Sequence, residues 1–311
     1  MSAQRQHAGV AAPPAELGRA LHQLGRAAVA ALHDELTLEP KPGLVSPVDS
    51  GSHRDMDAGT LMRSLFALRH GYGRLAALGA ADAGFERLAE AGRAAEARML
   101  RATGGINTHR GAIFGLGLLC ASGGALLAQQ LALQPAALRQ MLLQRWGAAL
   151  ATHGEGPLPT QGRAAGAVSA APSNGQAAAR AHGLRGAHAE AAAGFPVLFD
   201  TTLPVLQDAL ARGWTARQAR VQALFATMAV LDDTNLVHRG GLVGLCFAQG
   251  AASDWLQAGG ADRDDAFDAA RALHREFIAR RLSPGGAADL LAAACWVQRV
   301  SAPAPTVSVA A

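Results

Sequence analysis

Apolar residues recur at intervals of three and four along most of this 311-residue chain. In the first such stretch, residues 16–36, they stand at Leu17, Leu21, Leu24, Ala28, Leu32 and Leu36. This spacing places the apolar side chains on one face of an α-helix, whereas the alternation typical of strands hardly occurs. Ala and Leu supply most of the apolar content and only 5% of residues are aromatic, which also favours helices over sheets. The sequence therefore predicts an all-α fold.

Similar periodicity predicts a bundle of about ten helices in all. The further segments are 58–79, 84–101, 109–121, 135–151, 176–193, 201–212, 215–231, 241–257, 264–281 and 286–299. Thr215 and the pair Ser283-Pro284 stand where a capping hydroxyl or a first-turn proline begins a helix. We expect one compact domain over residues 15–300 between loose tails at 1–14 and 301–311. Residues 154–175, rich in Gly, Pro and Ala, are predicted to be a flexible loop inside that domain.

Charge and cysteine patterns exclude several classes of protein. The net charge of +4 is spread thinly, without the runs of like charge that bind nucleic acid. The three cysteines are far apart in apolar surroundings, which argues against zinc sites and disulfides and suits a reducing compartment. No signal-peptide pattern is present, and Gly, Gln or Arg interrupts each apolar stretch before it spans a membrane. We expect a cytoplasmic protein with no membrane or nucleic-acid partner; the sequence carries no signal for its oligomeric state.

The densest polar cluster lies at residues 35–57, between two predicted helices. Its prolines and glycines impose an irregular backbone on which charged side chains can converge. These side chains are Glu35, Glu39, Lys41, Asp49, His53, Arg54, Asp55 and Asp57. Lys41 is the one lysine among 28 basic residues. An aspartate that caps the helix near residue 58 explains Asp55 or Asp57 but not the other groups, so the cluster is interpreted as part of a site.

A second cluster, residues 103–111, directly precedes an apolar helix. Gly104 and Gly105 followed by Asn107 at a helix start predict an anion site, because backbone N–H groups there point at a ligand. His109 and Arg110 would add further donors. The alternative is that Asn107 or Thr108 merely caps the helix. The spacing is not that of a P-loop.

A third cluster, residues 232–241, contains the adjacent carboxylates Asp232 and Asp233. Paired carboxylates suit Mg²⁺, which takes oxygen ligands and completes its shell with water and phosphate. The alternative is a helix-terminal turn with solvated acids. Two smaller polar segments, 185–190 and 283–289, read individually as caps and turns, and histidines such as His274 stand singly on helices.

Together the three clusters offer carboxylates for a metal ion, donors for phosphate, and His and Asp candidates for proton transfer. This inventory indicates an all-helical enzyme that acts on a phosphorylated, nucleotide-like substrate. Phosphoryl transfer, hydrolysis and attack at a ribose carbon remain open on these grounds alone.

Five strings in the chain resemble the signatures of the triphosphoribosyl-dephospho-CoA synthase family. They are PKPGLVS at 40–46, DSGSHRDMD at 49–57, GGINTHRGAIF at 104–114, DDTNLVHRGG at 232–241 and SPGGAADLL at 283–291. They occur in the family's order, and the resemblance extends from about residue 17 to 299. The form SPVDSGSH at 46–53 is more similar to the malonate decarboxylase branch than to the citrate lyase branch.

The resemblance implies that ATP and 3′-dephospho-CoA give 2′-(5″-triphosphoribosyl)-3′-dephospho-CoA and adenine. ATP then acts as a ribosyl donor and keeps its triphosphate. The product would pass to a separate transferase that attaches it to an acyl carrier protein. Rival functions are the same reaction in the service of citrate lyase, an all-α Mg²⁺-dependent hydrolase of nucleotides or ADP-ribose, and a non-catalytic nucleotide-binding protein.

The resemblance also suggests roles for individual residues. Cleavage at the ribose C1′ builds oxocarbenium character, so a carboxylate must stabilise charge and a base must accept the proton of the attacking hydroxyl. We expect Asp55, with His53 beside it, to do this, and His109 or Asp57 to protonate adenine. The triphosphate is expected to contact Lys41, Ser46, Gly105, Asn107, Arg110 and Arg239. The expected ligands of Mg²⁺ are Asp49, Asp232 and Asp233.

Overall fold

Helix α5 (Arg110–Ala128) lies inside the protein and contacts helices on several sides. By length and composition it could span a membrane, but 72% of its apolar window is buried against the rest of the protein. It is therefore packed as a core helix. The structure is a computed structural model that describes residues 14–154 and 174–302; no strand occurs in these ranges. The prediction of an all-α fold is confirmed.

The other helices follow in chain order, and a long irregular loop, residues 37–57, connects the first two. They are α1 (Pro14–Leu36), α2 (Ala58–Leu68), α3 (Gly71–Ala80), α4 (Phe85–Ala102), α6 (Pro135–Gly154), α7 (Asn174–His182), α8 (Ala187–Ala192), α9 (Leu203–Ala211), α10 (Ala216–Val230), α11 (Thr234–Gln257), α12 (Ala266–Ala279) and α13 (Gly285–Ser301). A π-helical turn at Leu198–Thr202 precedes α9, and a 3₁₀ turn at Gly260–Asp262 precedes α12.

Helices α3 and α5 approach until their backbones touch. A Cβ at Gly79 would lie 1.9 Å from the carbonyl oxygen of Ala121, and one at Gly124 would lie 1.9 Å from that of Ala76. Only glycine fits at these two positions, so each helix contributes one to the contact. Helix α1 packs against both of these helices, and α13 packs against α1 and α5. Trp296 of α13 donates its indole N–H to the carbonyl oxygen of Leu24 in α1 at 3.1 Å.

Several helix boundaries differ from the prediction for local reasons. The predicted helix 58–79 is divided at Arg69 and His70, so that α2 packs on α4 while α3 packs on α5. The segment 176–193 is divided where Gly183 takes a positive φ of 64°. Helix α11 begins earlier than expected, and its predicted start coincides with a kink at Gly241.

Other boundaries were predicted correctly. Thr215 caps α10 in a reciprocal capping box with Gln218, and α13 begins at Gly285 directly after the Ser283-Pro284 pair. The described residues share one hydrophobic core that extends from α1 to α13. The predicted tails 1–14 and 301–311 and the predicted loop 154–175 lie almost wholly outside the described residues.

Candidate active site

The loop that follows α1 is buried at residues 40–46. Only 1% of Lys41 is exposed, and its Nζ donates to Glu35 Oε1 at 2.6 Å and to the Glu35 carbonyl oxygen at 2.7 Å. Burial lowers the pKa of Lys41, and the neighbouring Glu35 opposes that shift. The expected contact between Lys41 and phosphate stays a prediction; in this structure the ammonium is enclosed and paired with a carboxylate.

His274 of α12 holds the same loop from the other side. Its Nδ1 lies 2.8 Å from the carbonyl oxygen of Lys41 and 3.1 Å from the backbone nitrogen of Gly43, and its Nε2 lies 3.0 Å from Asp49 Oδ2. Ser46 is buried, and its Oγ accepts the N–H of Val48 at 3.1 Å. Ser46 and Asp49 thus shape the loop in this structure, and the lone helical His274 proves to be one of its anchors.

Three of the five strings meet at the imidazole of His53. Arg239 Nη2 lies 3.1 Å from His53 Nδ1, Ser283 Oγ lies 3.0 Å from Nε2, and Asp55 Oδ1 lies 3.5 Å from Nδ1. Because arginine only donates, Nδ1 accepts from Arg239 and Nε2 donates to Ser283. We call His53, Asp55, Arg239 and Ser283 the outer cluster. The predicted proximity of His53, Asp55 and Arg239 is observed.

Charge in the outer cluster is balanced around His53. Burial and the guanidinium of Arg239 lower the pKa of His53, while Asp55 raises it, and the net shift is downward. Arg239 Nη1 also donates to the carbonyl oxygen of Ser52 at 3.1 Å. The side chain of Asp55 is 61% exposed, so its carboxylate is open to a ligand. The imidazole is therefore neutral at pH 7, with its lone pair turned to an arginine.

His109 precedes α5 and is 4% exposed. Its Nδ1 lies 2.7 Å from Ser64 Oγ, which accepts from Thr108 Oγ1 at 2.8 Å. Its Nε2 is buried, and no partner lies within hydrogen-bond distance among the described residues. Burial, helped by the charge of Lys41, lowers the pKa of His109 to about 4. The expected protonation of adenine by His109 stays a prediction; with this pKa the ring carries no extra proton at neutral pH in the ligand-free protein.

The predicted anion site before α5 is already satisfied by the protein. The N–H of Gly105 donates to the carbonyl oxygen of Leu100 at 2.7 Å, which closes α4. Asn107 Oδ1 accepts the N–H of Arg110 at 3.2 Å, as the capping alternative foresaw. The side chain of Arg110 pairs with Glu96. The prediction that Gly105 and Asn107 bind phosphate stays untested; in this structure the N–H of Gly105 and the side chain of Asn107 have protein partners, and two nitrogens of Arg110 contact Glu96.

Asp57 caps α2, which was the alternative reading of this aspartate. Its Oδ1 accepts the N–H and the hydroxyl of Thr60, each at 2.7 Å. These hydrogen bonds lower the pKa of Asp57, so the side chain is ionised at neutral pH. The expected role of Asp57 as a proton donor to adenine stays a prediction, which this ionised and hydrogen-bonded state does not favour.

Asp233 caps α11 and joins it to α13. Its Oδ1 accepts the N–H of Asn235 at 2.9 Å, and its Oδ2 accepts the N–H of Ala287 at 3.1 Å. Only 2% of Asp233 is exposed, and burial raises its pKa against these hydrogen bonds. A Cβ at Gly286 would lie 3.1 Å from this carboxylate, which explains the glycine. Asp232 is half-buried and accepts the N–H of Arg185 at 3.1 Å.

Asp289 is a candidate that the sequence analysis did not assign. Its carboxylate accepts the N–H of Ala112 in the first turn of α5. A Cβ at Gly111 would lie 2.0 Å from Asp289 Oδ2, so this approach requires glycine. Burial and the charges of Glu35 and Asp233 raise the pKa of Asp289 well above its usual range. Its place in the string 283–291 was the available signal.

The electrostatic neighbours define a second group, which we call the inner cluster: Glu35, Lys41, His109, Asp233 and Asp289. Lys41 acts on the pKa of His109, and Glu35 and Asp233 act on that of Asp289. The inner and outer clusters are built on the same loop and the same start of α13. The expected convergence of the separate strings is therefore observed.

The expected magnesium ligands do not form a ready site. Among the residues that the structure describes, no group of three or more His, Cys, Asp or Glu side chains is arranged to hold a metal ion. Both oxygens of Asp233 accept backbone N–H groups, and Asp49 is bonded to His274 and to the N–H of Gly51. Binding of Mg²⁺ at these residues remains a prediction.

Glu190 is a further buried acid near this region. Its Oε1 accepts the N–H of Val197 at 2.7 Å, whereas its Oε2 has no hydrogen-bond partner within the described residues. Arg185 lies 3.7 Å from that second oxygen. Burial raises the pKa of Glu190. The adjacent N–H of Arg185 contacts Asp232, so the segment 185–190 borders the third cluster.

Comparison with known proteins gives a consistent result. The family model described as ATP:dephospho-CoA triphosphoribosyl transferase matches residues 21–306. A probable 2-(5″-triphosphoribosyl)-3′-dephosphocoenzyme-A synthase of Acinetobacter calcoaceticus is 35% identical over 270 residues, which cover 87% of this chain and 88% of the relative.

Two further relatives are similar over nearly the same extent. A probable synthase of the same description from Azotobacter vinelandii is 39% identical, covering 88% of this chain and 89% of the relative. The 2-(5″-triphosphoribosyl)-3′-dephosphocoenzyme-A synthase of Escherichia fergusonii is 37% identical, covering 84% of this chain and 86% of the relative. No solved structure matches the chain.

Proposed function

The chain belongs to the ATP:dephospho-CoA triphosphoribosyl transferase family, and we propose that it transfers the 5-triphosphoribosyl group of ATP to the 2′-hydroxyl of 3′-dephospho-CoA. The C1′–N9 bond of ATP breaks and its electron pair moves to adenine. The 2′-oxygen of dephospho-CoA bonds to C1′, and the proton of its hydroxyl is removed. Adenine takes up one proton, so the reaction balances without water.

The observation that carries this proposal is the meeting of five separated strings in two connected clusters. A reaction at C1′ needs an open carboxylate, a neutral base and a cation for phosphate. Asp55 is the exposed carboxylate, His53 is the neutral imidazole, and Arg239 is an exposed guanidinium beside both. The outer cluster thus supplies each required group within one hydrogen-bonded set.

The contact between Arg239 and His53 implies that phosphate binding precedes proton transfer. In the structure its guanidinium donates to His53 Nδ1, which occupies the lone pair that a base must use. A triphosphate oxygen competes for the same guanidinium, and a charge-assisted bond to phosphate is stronger than one to a neutral imidazole. Once Arg239 turns to phosphate, His53 Nδ1 is free to accept the proton of the 2′-hydroxyl, and Asp55 stabilises the imidazolium.

Product analysis tests the proposed reaction. Purified protein is incubated with ATP, Mg²⁺ and either dephospho-CoA or no acceptor, and free adenine is measured. We expect adenine only when dephospho-CoA is present. Adenine release without the acceptor would favour a nucleotide hydrolase, and release of ADP or phosphate without adenine would exclude ribosyl transfer. Binding of ATP without turnover under any condition would favour a non-catalytic protein.

The metabolic context is the finer part of the proposal. The loop form SPVDSGSH at 46–53 supports service to malonate decarboxylase, through a separate transferase that modifies its acyl carrier protein. Deletion of the gene in its host should abolish growth on malonate and leave an unmodified carrier protein, detectable by mass. Loss of growth on citrate instead would assign the protein to citrate lyase. A cytoplasmic location belongs to the same proposal and is tested by cell fractionation.

A further inference from the structure

The hydrogen-bond directions around His109 select one form of its ring. Thr108 Oγ1 donates to Ser64 Oγ at 2.8 Å, so the Ser64 hydroxyl must send its own hydrogen elsewhere. Within the described part of the chain, the acceptor that lies in reach of that hydrogen is His109 Nδ1, at 2.7 Å. An imidazole that accepts at Nδ1 and is neutral carries its hydrogen on Nε2. The chain from Thr108 through Ser64 therefore presents His109 as a neutral ring with an Nε2–H donor.

This donor is buried and has no acceptor among the residues that the structure describes. His109 is 4% exposed, and no described residue accepts from Nε2. A buried unpartnered N–H costs free energy comparable to a lost hydrogen bond, so such a group in a candidate site points to an acceptor that arrives with the ligand. Ser64 is fully buried, which holds the hydroxyl in place.

The surroundings of His109 indicate the kind of acceptor. The nearby cation, Lys41, is neutralised by Glu35 at 2.6 Å, and the imidazole itself is uncharged. A phosphate would meet no unpaired positive charge here and would be costly to bury. An uncharged ring nitrogen, such as N3 or N7 of a purine, matches a neutral N–H donor.

Resting on the proposed function, we propose that Ser64 and Thr108 hold His109 as a neutral donor to a ring nitrogen of the leaving adenine. His109 transfers no proton. When the C1′–N9 bond breaks, its electron pair moves onto the purine, and the Nε2–H bond strengthens as negative charge grows. The 2′-hydroxyl loses its proton to the base, which passes it to solvent. Adenine takes up one proton from solvent, so the two transfers balance. His109 is the catalytic residue, and Ser64 and Thr108 are positioning residues.

The form of the ring is testable without activity. Nitrogen-15 spectra of histidine-labelled, ligand-free protein should show His109, assigned by its absence in His109→Gln, as the Nε2–H form at pH 7. Because the pKa of His109 is about 4, that form should persist as the pH falls to about 5. A hydrogen on Nδ1, or a ring protonated at pH 6, would overturn the proposal even if the wild-type protein proves to be the synthase.

The role in the reaction is tested with variants and substrate analogues. His109→Phe removes the donor and should lower kcat by about 10²–10³, whereas His109→Gln keeps an N–H donor and should retain most of the activity. Thr108→Val and Ser64→Ala should lower kcat by a larger factor than they raise KM. Thr108→Ser keeps the hydroxyl and should keep a kcat close to that of the wild type. Ser122→Ala is the matched control, because Ser122 is equally buried but donates only to the carbonyl oxygen of Leu118.

Deaza analogues then locate the acceptor. Wild-type protein should discriminate between ATP and either 3-deaza-ATP or 7-deaza-ATP, and His109→Phe and Ser64→Ala should lose about tenfold or more of that discrimination. Ser122→Ala should keep it. Equal discrimination in all four proteins for both analogues would overturn the proposal. Absence of adenine transfer in the wild-type protein would instead refute the proposed function, while the nitrogen-15 result would still decide the ring form.

Discussion

Lys41 Nζ and Glu35 Oε1 lie 2.6 Å apart inside the protein, and no more than 7% of either side chain is exposed. Removal of one partner from such a pair leaves an uncompensated buried charge. Lys41→Met should therefore lower the free energy of unfolding by about 3–5 kcal/mol. Denaturant unfolding measures this loss, and the double variant Glu35→Leu, Lys41→Met should recover much of it. A higher KM for ATP at unchanged stability would show instead that Lys41 binds phosphate.

Gly111 and Gly115 of α5 provide a matched pair of substitutions. Gly111→Ala places a Cβ 2.0 Å from Asp289 Oδ2, so α13 must shift and both stability and activity should fall. The nearest neighbour to a Cβ at Gly115 is 4.0 Å away, and Gly115→Ala should raise stability by about 0.5–1 kcal/mol through helix propensity. Thermal unfolding and adenine release check both. Equal behaviour of the two variants would contradict the close approach of Asp289.

Arg239 and Asp55 act on His53 with opposite sign. Arg239→Gln removes a neighbouring cation and should raise the pKa of His53, whereas Asp55→Asn removes a neighbouring carboxylate and should lower it. Histidine NMR titration measures both shifts. Arg239→Gln should also raise the KM for ATP by on the order of tenfold, because a charge-assisted contact is lost. Shifts of the His53 pKa in the same direction in both variants would contradict the opposite effects that we assign to Arg239 and Asp55 in the outer cluster.

Asp232 and Asp233 separate metal binding from helix capping. Asp233→Asn should lower stability, because its amide group would face a backbone N–H that now donates a hydrogen bond to the carboxylate. Asp232→Asn, at a half-buried position, should change stability little. If Mg²⁺ binds here as predicted, both variants should require more Mg²⁺ for half-maximal adenine release. An unchanged Mg²⁺ requirement in both would place the metal elsewhere.

Stability should depend on pH through His109. The folded pKa of about 4 lies below the unfolded value near 6.5, so the unfolded chain binds the extra proton first. The neutral ring of His109 therefore contributes about 3 kcal/mol to the free energy of unfolding. This contribution is fully present above pH 6.5 and is lost as the pH falls towards 4. Urea unfolding of the wild type and His109→Gln at both ends of this window isolates it. An equal pH dependence in the two proteins would contradict the buried neutral ring.

The fold was largely predictable because helical periodicity is local. The face of α1 and the cap at Thr215 follow from spacing and side-chain chemistry alone. The division at Arg69 and His70 was not predictable, since it depends on which helices α2 and α3 pack against. A continuous apolar pattern does not reveal where one predicted helix must break into two helices with different axes in order to pack against different partner helices.

In the candidate site, proximity was predictable but partners were not. Strings dense in polar residues did converge, and His53, Asp55 and Arg239 lie together as expected. Lys41 and Asp233 looked like ligand contacts, yet each is satisfied by the protein, because burial forces a polar group to find a partner. One partner of Asp233, the N–H of Ala287, lies 54 positions away in the chain, and the burial that pairs Lys41 with Glu35 is a property of the whole fold.

Ser64 illustrates what spacing alone does not reveal. It is one serine in an otherwise ordinary amphipathic helix, and only the folded chain brings it 2.7 Å from His109. Asp289 was visible within a string but had no assigned role, because its contact with the start of α5 is tertiary.

The most direct test of the account follows the triphosphate of ATP. Wild-type protein is incubated with dephospho-CoA and ATP radiolabelled in the γ-phosphate. The products are separated, and their masses are determined by mass spectrometry. The account predicts that the label moves intact into a dephospho-CoA derivative, with one adenine released for each molecule formed. Label found in inorganic phosphate, or in free ribose 5-triphosphate formed without the acceptor, would contradict it.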